Sequence, residues 1–70
     1  MISQIDQYNF YLNFKKEINN MKYGDLLFLL IKYGIYFDKT IYNMFIETIN
    51  NSELKDYEKK FMKKFVYLQV

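Results

Sequence analysis

Between residue 4 and about residue 20, apolar and polar side chains sort cleanly when the chain is wound at about 100° per residue. Ile5, Tyr8, Phe10, Tyr11, Leu12, Phe14, Ile18 and Met21 fall on one arc, and Asp6, Asn9, Asn13, Lys16, Glu17 and Asn20 fill the remainder. The apolar arc is roughly 220° wide, against the roughly 100° that suffices for a helix packed on one side. Within it, YNFYLNF (8–14) also alternates as a half-buried strand would. Only the helical period continues into the flanks, and Ser3 three residues before Asp6 gives a start resembling a capping box. The pattern predicts a helix from about 4 to 20, with Leu12 and Tyr8 turned toward one neighbour and Phe10 and Phe14 toward another, the second neighbour being a candidate for a different molecule.

The next segment, KYGDLLFLLIKYG, holds six consecutive apolar residues, Leu26 to Ile31. They point in every direction around a helix, which predicts a segment surrounded by protein. A short buried strand has the same hydrophobic signature, but leucine favours the helix and β-branched residues are nearly absent. Gly34 stands where a left-handed residue ends a helix, and Asp38 stands where an N-cap belongs. From 39 to about 50, Ile41, Tyr42, Met44, Phe45, Ile46 and Ile49 span an arc of about 200°. Asn50 and Asn51 end this helix, and Ser52 is expected to cap the next. In the last, Leu54, Tyr57, Phe61, Phe65 and Leu68 form a stripe of about 80°, widened by Met62 and Val66, with lysines opposite.

Four helices with short connections predict an all-α fold: a small antiparallel bundle of about four short helices forming one domain over 1–70. LLIKYGIYFDKT is similar to the helix-glycine-loop run of an ankyrin repeat, but no second copy is present, so the likeness is one of capping chemistry.

Composition sharpens the picture. A 70-residue chain buries only about 60% of the surface its unfolded form exposes. Chains this small usually gain stability from disulfides, a metal or a partner, and this one has neither cysteine nor histidine. Association is the remaining route. Hydrophobic residues at 51% and aromatics at 21% exclude a disordered tail. The longest apolar run is far short of the roughly 20 residues of a membrane span. MISQIDQY lacks the basic and apolar segments of a signal peptide, and the lack of cysteine removes any sign of an oxidising compartment. The expected location is the cytoplasm. Lysine is the only basic residue, alanine and proline are absent, and Ile, Asn, Tyr and Phe abound. Such residues have A/T-rich codons, pointing to a low-GC bacterium, its phage or plasmid, or a similarly biased genome.

Candidate chemistry is sparse. Without His or Cys, a catalytic site would rest on carboxylates, and Asp56 with Glu58, Glu53 with Asp56, or Asp6 with Glu17 lie off the apolar arcs that would separate their pKa values. The expectation is a non-enzymatic protein with no cofactor and no metal. EKKFMKKF sets Lys59, Lys60, Lys63 and Lys64 around an apolar stripe, with Lys55 one turn earlier. Clustered cations bind phosphate and exposed rings such as Tyr57 and Tyr67 would stack on bases. The same lysines also complement a helix C-terminus and keep an aromatic-rich chain dissolved, and net charge is only +2. A nucleic-acid-binding accessory role is therefore the alternative reading.

The stronger expectation is a protein interface. Three of the four helices are apolar over half or more of their circumference, and a chain this short has too few neighbours to cover them. Tyrosine, whose ring can be covered while its hydroxyl stays wet, suits such a surface. Tyr8, Phe10, Tyr11, Phe14, Tyr36, Phe37 and Tyr42 are the candidate interface residues, with a homodimer or another protein target as partner. In size and composition only, the chain resembles the small inhibitors that phages and mobile elements direct against host complexes, anti-CRISPR proteins among them. The resemblance implies a regulator that occludes a surface, and the slight positive charge argues against mimicry of DNA.

Overall fold

The computed structural model describes residues 2–70. Its elements run α1 (Gln4–Glu17), α2 (Tyr23–Tyr33), β1 (Tyr36–Phe37), α3 (Lys39–Asn50), α4 (Asp56–Met62), a 3-10 turn (Lys63–Phe65) and β2 (Tyr67–Leu68). Local chemistry sets most boundaries. Ser3 Oγ accepts the Asp6 N–H at 3.2 Å and opens α1. Gly34, at φ 57°, closes α2 by donating its N–H to Leu30 O. Asp38 Oδ1 accepts the Ile41 N–H at 3.1 Å and opens α3.

YNFYLNF is helical, and α1 stops three residues earlier than its hydrophobic arc suggests. Asn20 and Met21 both donate to Glu17 O, and the Asn20 side chain folds back on Lys16 O at 3.1 Å. These local bonds compete with another helical turn, as asparagine commonly does.

The largest departure from a purely helical fold is at the C-terminus. The helix expected to continue to about residue 68 ends at Met62, and the chain is extended by Val66. β2 pairs in parallel with β1, Tyr36 opposite Tyr67 and Phe37 opposite Leu68, and Gln69 N–H donates to Phe37 O at 2.8 Å. Parallel strands need a long crossover, here supplied by α3 and α4. Phe65, Val66 and Tyr67 are residues that favour extended backbone, but two-residue strands show no period to read. The stripe expected to be buried is displaced as well: Met62 and Val66 are in the core, while Tyr57 and Phe61 are exposed. Ser52 does not cap α4. Its hydroxyl donates to Ile49 O at 2.7 Å and closes α3, while Glu58 Oε1 accepts the Lys55 N–H at the start of α4.

The core is an aromatic cluster centred on Phe45. Its ring lies 4.6 Å from Phe37, 5.1 Å from Phe14 and 5.2 Å from Tyr11, the last edge-on. Ile18, Leu26, Leu30, Ile41, Ile49, Met62 and Val66 complete it. Among the described residues the one buried polar side chain is Gln7. Its Oε1 accepts the Asp38 N–H at 2.9 Å and its Nε2 donates to Ile2 O at 3.2 Å. At the far end of the same helix pair, Glu53 N–H donates to Asn19 Oδ1. α1 and α3 therefore lie alongside each other with like ends together. The segment expected to be enclosed, Leu26–Ile31, buries Leu26 and Leu30 but leaves Phe28 63% exposed and Ile31 exposed beside it. α2 lies at the margin of the fold, so only one of its faces has a neighbour.

Candidate functional site

Of the residues expected to form a protein interface, Tyr11, Phe14 and Phe37 belong to the core and offer no surface to a partner. The Tyr11 hydroxyl is bonded to Thr48 Oγ1 at 2.8 Å, which satisfies the polar tip of an otherwise buried ring. Phe10 and Tyr42 are half-buried; Phe10 stacks on Tyr33 with centroids 3.7 Å apart and planes 4° from parallel. Tyr8 and Tyr36 are exposed. The wide apolar arc of α1 thus divides into two stripes. Gln7, Tyr11, Phe14 and Ile18 face inward, while Ile5, Tyr8 and Leu12 face outward, with Ile5 73% exposed.

The outward stripe borders a groove along the α1–α3 seam. Its apolar end, of about 360 Å3, is lined by Gln4, Ile5, Tyr8, Thr40, Ile41 and Met44. Met44 also lines a second hollow of about 480 Å3 further along the seam, where Lys15, Asn19, Glu47 and Asn51 make the walls polar. A separate apolar hollow of about 570 Å3 lies beside the sheet, between Ile2, Ile35, Tyr36 and Val70. Ile5, Leu12 and Met44 were not among the interface candidates. The clue was available in the spacing 5, 8, 12, which is offset from 7, 11, 14, 18, but choosing which stripe faces inward requires knowing where α3 lies.

The lysines divide too. Lys59 Nζ donates to Asn50 O at 2.9 Å and Lys63 Nζ donates to Asn50 Oδ1 at 2.8 Å. Both place their charge at the C-terminus of α3, where a cation is favoured by the exposed carbonyls and helix dipole. Lys55, Lys60 and Lys64 are exposed. Tyr67, offered as a stacking platform, instead lies half-buried against Tyr36 at 5.3 Å, whereas Tyr57 is 68% exposed with Phe61 exposed beside it.

No carboxylate is fully buried among the described residues, nor is there a group of three His, Cys, Asp or Glu able to hold a metal. No helix among them is long and apolar enough to cross a membrane. Burial raises the Tyr23 hydroxyl above its ordinary value, with Glu58 and Tyr57 adding to the effect. Burial likewise raises Tyr33, reinforced by Asp6. Both tyrosines therefore hold their protons more firmly and are not primed as bases. Comparison with family models, curated proteins and solved structures finds no match. A functional reading has to come from these surfaces.

Proposed function

We propose that the chain is a small non-enzymatic interaction protein that docks its α1–α3 face on a protein partner, a second copy of itself being the first such partner. The observation that carries this reading is the exposed outward stripe Ile5, Tyr8 and Leu12, of which Ile5 and Tyr8 line an apolar groove. The spacing i, i+3, i+7 is that of a helix seam, and a groove between two helices accepts the apolar face of a third. A twofold arrangement buries the same patch on both copies. Two α1 helices laid antiparallel about Tyr8 set Ile5 of each copy near Leu12 of the other.

Such a protein acts by occupying a surface, the mode implied by its resemblance in size and composition to phage-encoded inhibitors. Light scattering over a concentration series tests the proposal. Mass should rise toward that of a dimer and fall back in an Ile5→Lys, Leu12→Lys double variant, which alters exposed positions only. A monomer throughout, with thermal stability unchanged by the double substitution and by dilution, would show that the stripe is not a self-docking face.

A further inference from the structure

The C-terminal face exposes a second group of side chains, separate from the α1–α3 groove. Tyr57, Lys60 and Phe61 occupy positions i, i+3 and i+4 of α4, and Lys64 follows at i+7 in the 3-10 turn. That spacing places side chains on one side of a helix, and all four are exposed. Lys55, also exposed, stands one residue before the helix. Lys59 and Lys63 point away from this face and are engaged with Asn50. The lysine run is thus sorted by structure into a pair that closes α3 and an exposed trio, of which Lys60 and Lys64 share the helix face of two exposed rings, Tyr57 and Phe61, the latter packed edge-on against Phe65 at 5.2 Å. Of the nearby carboxylates, Glu58 bonds the Lys55 N–H, and Asp56 lies at the border of the face, exposed.

We propose that Tyr57 and Phe61, flanked by Lys55, Lys60 and Lys64, form a binding face for single-stranded nucleic acid. Cations track phosphates, and exposed rings offer stacking platforms that every base can use. A duplex keeps its base faces hidden and would leave the two rings without a stacking partner. With about three phosphate contacts, affinity for a single strand should fall by about 20-fold between roughly 50 and 200 mM salt, from a slope of about −0.7 per contact.

The test is fluorescence anisotropy of a labelled oligothymidylate of about 12 nucleotides, with protein raised to about 100 µM, the weak end of non-specific affinity. Binding should show the salt loss stated above, exceed that of a duplex of equal length, and weaken by about 5-fold or more for Tyr57→Ala and for Phe61→Ala. Lys60→Gln with Lys64→Gln should weaken it more than Lys59→Gln with Lys63→Gln. Circular dichroism of each variant confirms the fold. No binding at low salt overturns the proposal, as does binding that ignores both rings or depends more on Lys59 and Lys63. Retention on vesicles rich in anionic lipid without any oligonucleotide binding also overturns it, and assigns the face to membrane surfaces. The proposal does not rest on the α1–α3 reading, and an Ile5→Gln, Leu12→Gln variant, which adds no charge, should bind the oligonucleotide as wild type does.

Discussion

α2 is the more apolar of two helices and α3 the more buried. α2 contains six apolar residues in succession, whereas the longest such run in α3 is Met44 to Ile46. Yet α3 buries Ile41, Phe45 and Ile49 and lies against α1, α4 and both strands. α2 buries only Leu26 and Leu30, meeting the 3-10 turn and α1 through Tyr33 on Phe10. Burial follows the number of neighbours an element has, which depends on its place in the fold. Hydrophobicity in excess of those neighbours stays on the surface. Phe28 and Ile31 are that excess on α2, as Ile5, Tyr8 and Leu12 are on α1.

The largest effect expected from this contrast is a pair of identical truncations. Phe45→Ala removes the ring that Phe14, Tyr11, Phe37 and Phe10 all pack upon, and should cost about 3–5 kcal/mol. That approaches the whole stability of a domain this size, roughly 3–10 kcal/mol, so the variant should be largely unfolded by circular dichroism at ambient temperature. Phe28→Ala, at an exposed position, should change the unfolding free energy measured by urea titration by no more than about 0.5 kcal/mol. A cost above about 1 kcal/mol at Phe28 would break the comparison, because it would mean that α2 is covered in solution.

A smaller effect concerns how α3 is fixed in place. Gln7→Ala removes the acceptor of the Asp38 N–H and the donor to Ile2 O. An unpaired buried amide should cost about 1–3 kcal/mol, while Gln4→Ala at an exposed position of the same helix should be nearly neutral. α2 has no polar tie of this kind at its own start, where Lys22 provides no side-chain cap. Hydrogen exchange should therefore find the first turn of α2 less protected than the first turn of α3 in the wild type, and the two should approach each other in Gln7→Ala.

What could be read from the chain alone divides along the same line. Ser3, Gly34 and Asp38 mark their helix ends because capping is settled by bonds between residues three or four apart. The β1–β2 pair joins residues about thirty apart through strands too short to alternate, and its only trace is the β-favouring run Phe65, Val66, Tyr67. The outward stripe of α1 is no less apolar than the inward one, which includes Gln7, so the choice of Tyr11 and Phe14 as core and Ile5 and Leu12 as surface comes from where the neighbours lie, α3 above all. Likewise the lysine run is uniform in sequence, and only the position of Asn50 separates Lys59 and Lys63 from the exposed three.

The smallest effects lie at the two glycines of α2, and they probe what its outer face meets. At Gly34 the backbone is left-handed and an added Cβ would sit 3.3 Å from Ile31 O. Gly34→Ala should therefore cost about 1–2 kcal/mol. Gly24 has no such requirement, and nothing lies within 4 Å of where its Cβ would be. Gly24→Ala should raise stability by about 0.4–1 kcal/mol by restricting the unfolded chain. Gly24 precedes Phe28 by one turn and Ile31 by two, so it shares their outward face. A gain at low protein concentration that vanishes or reverses as concentration rises would place another copy against this face. A gain independent of concentration would leave Phe28 and Ile31 as true surface, and would confine self-docking to the α1–α3 seam.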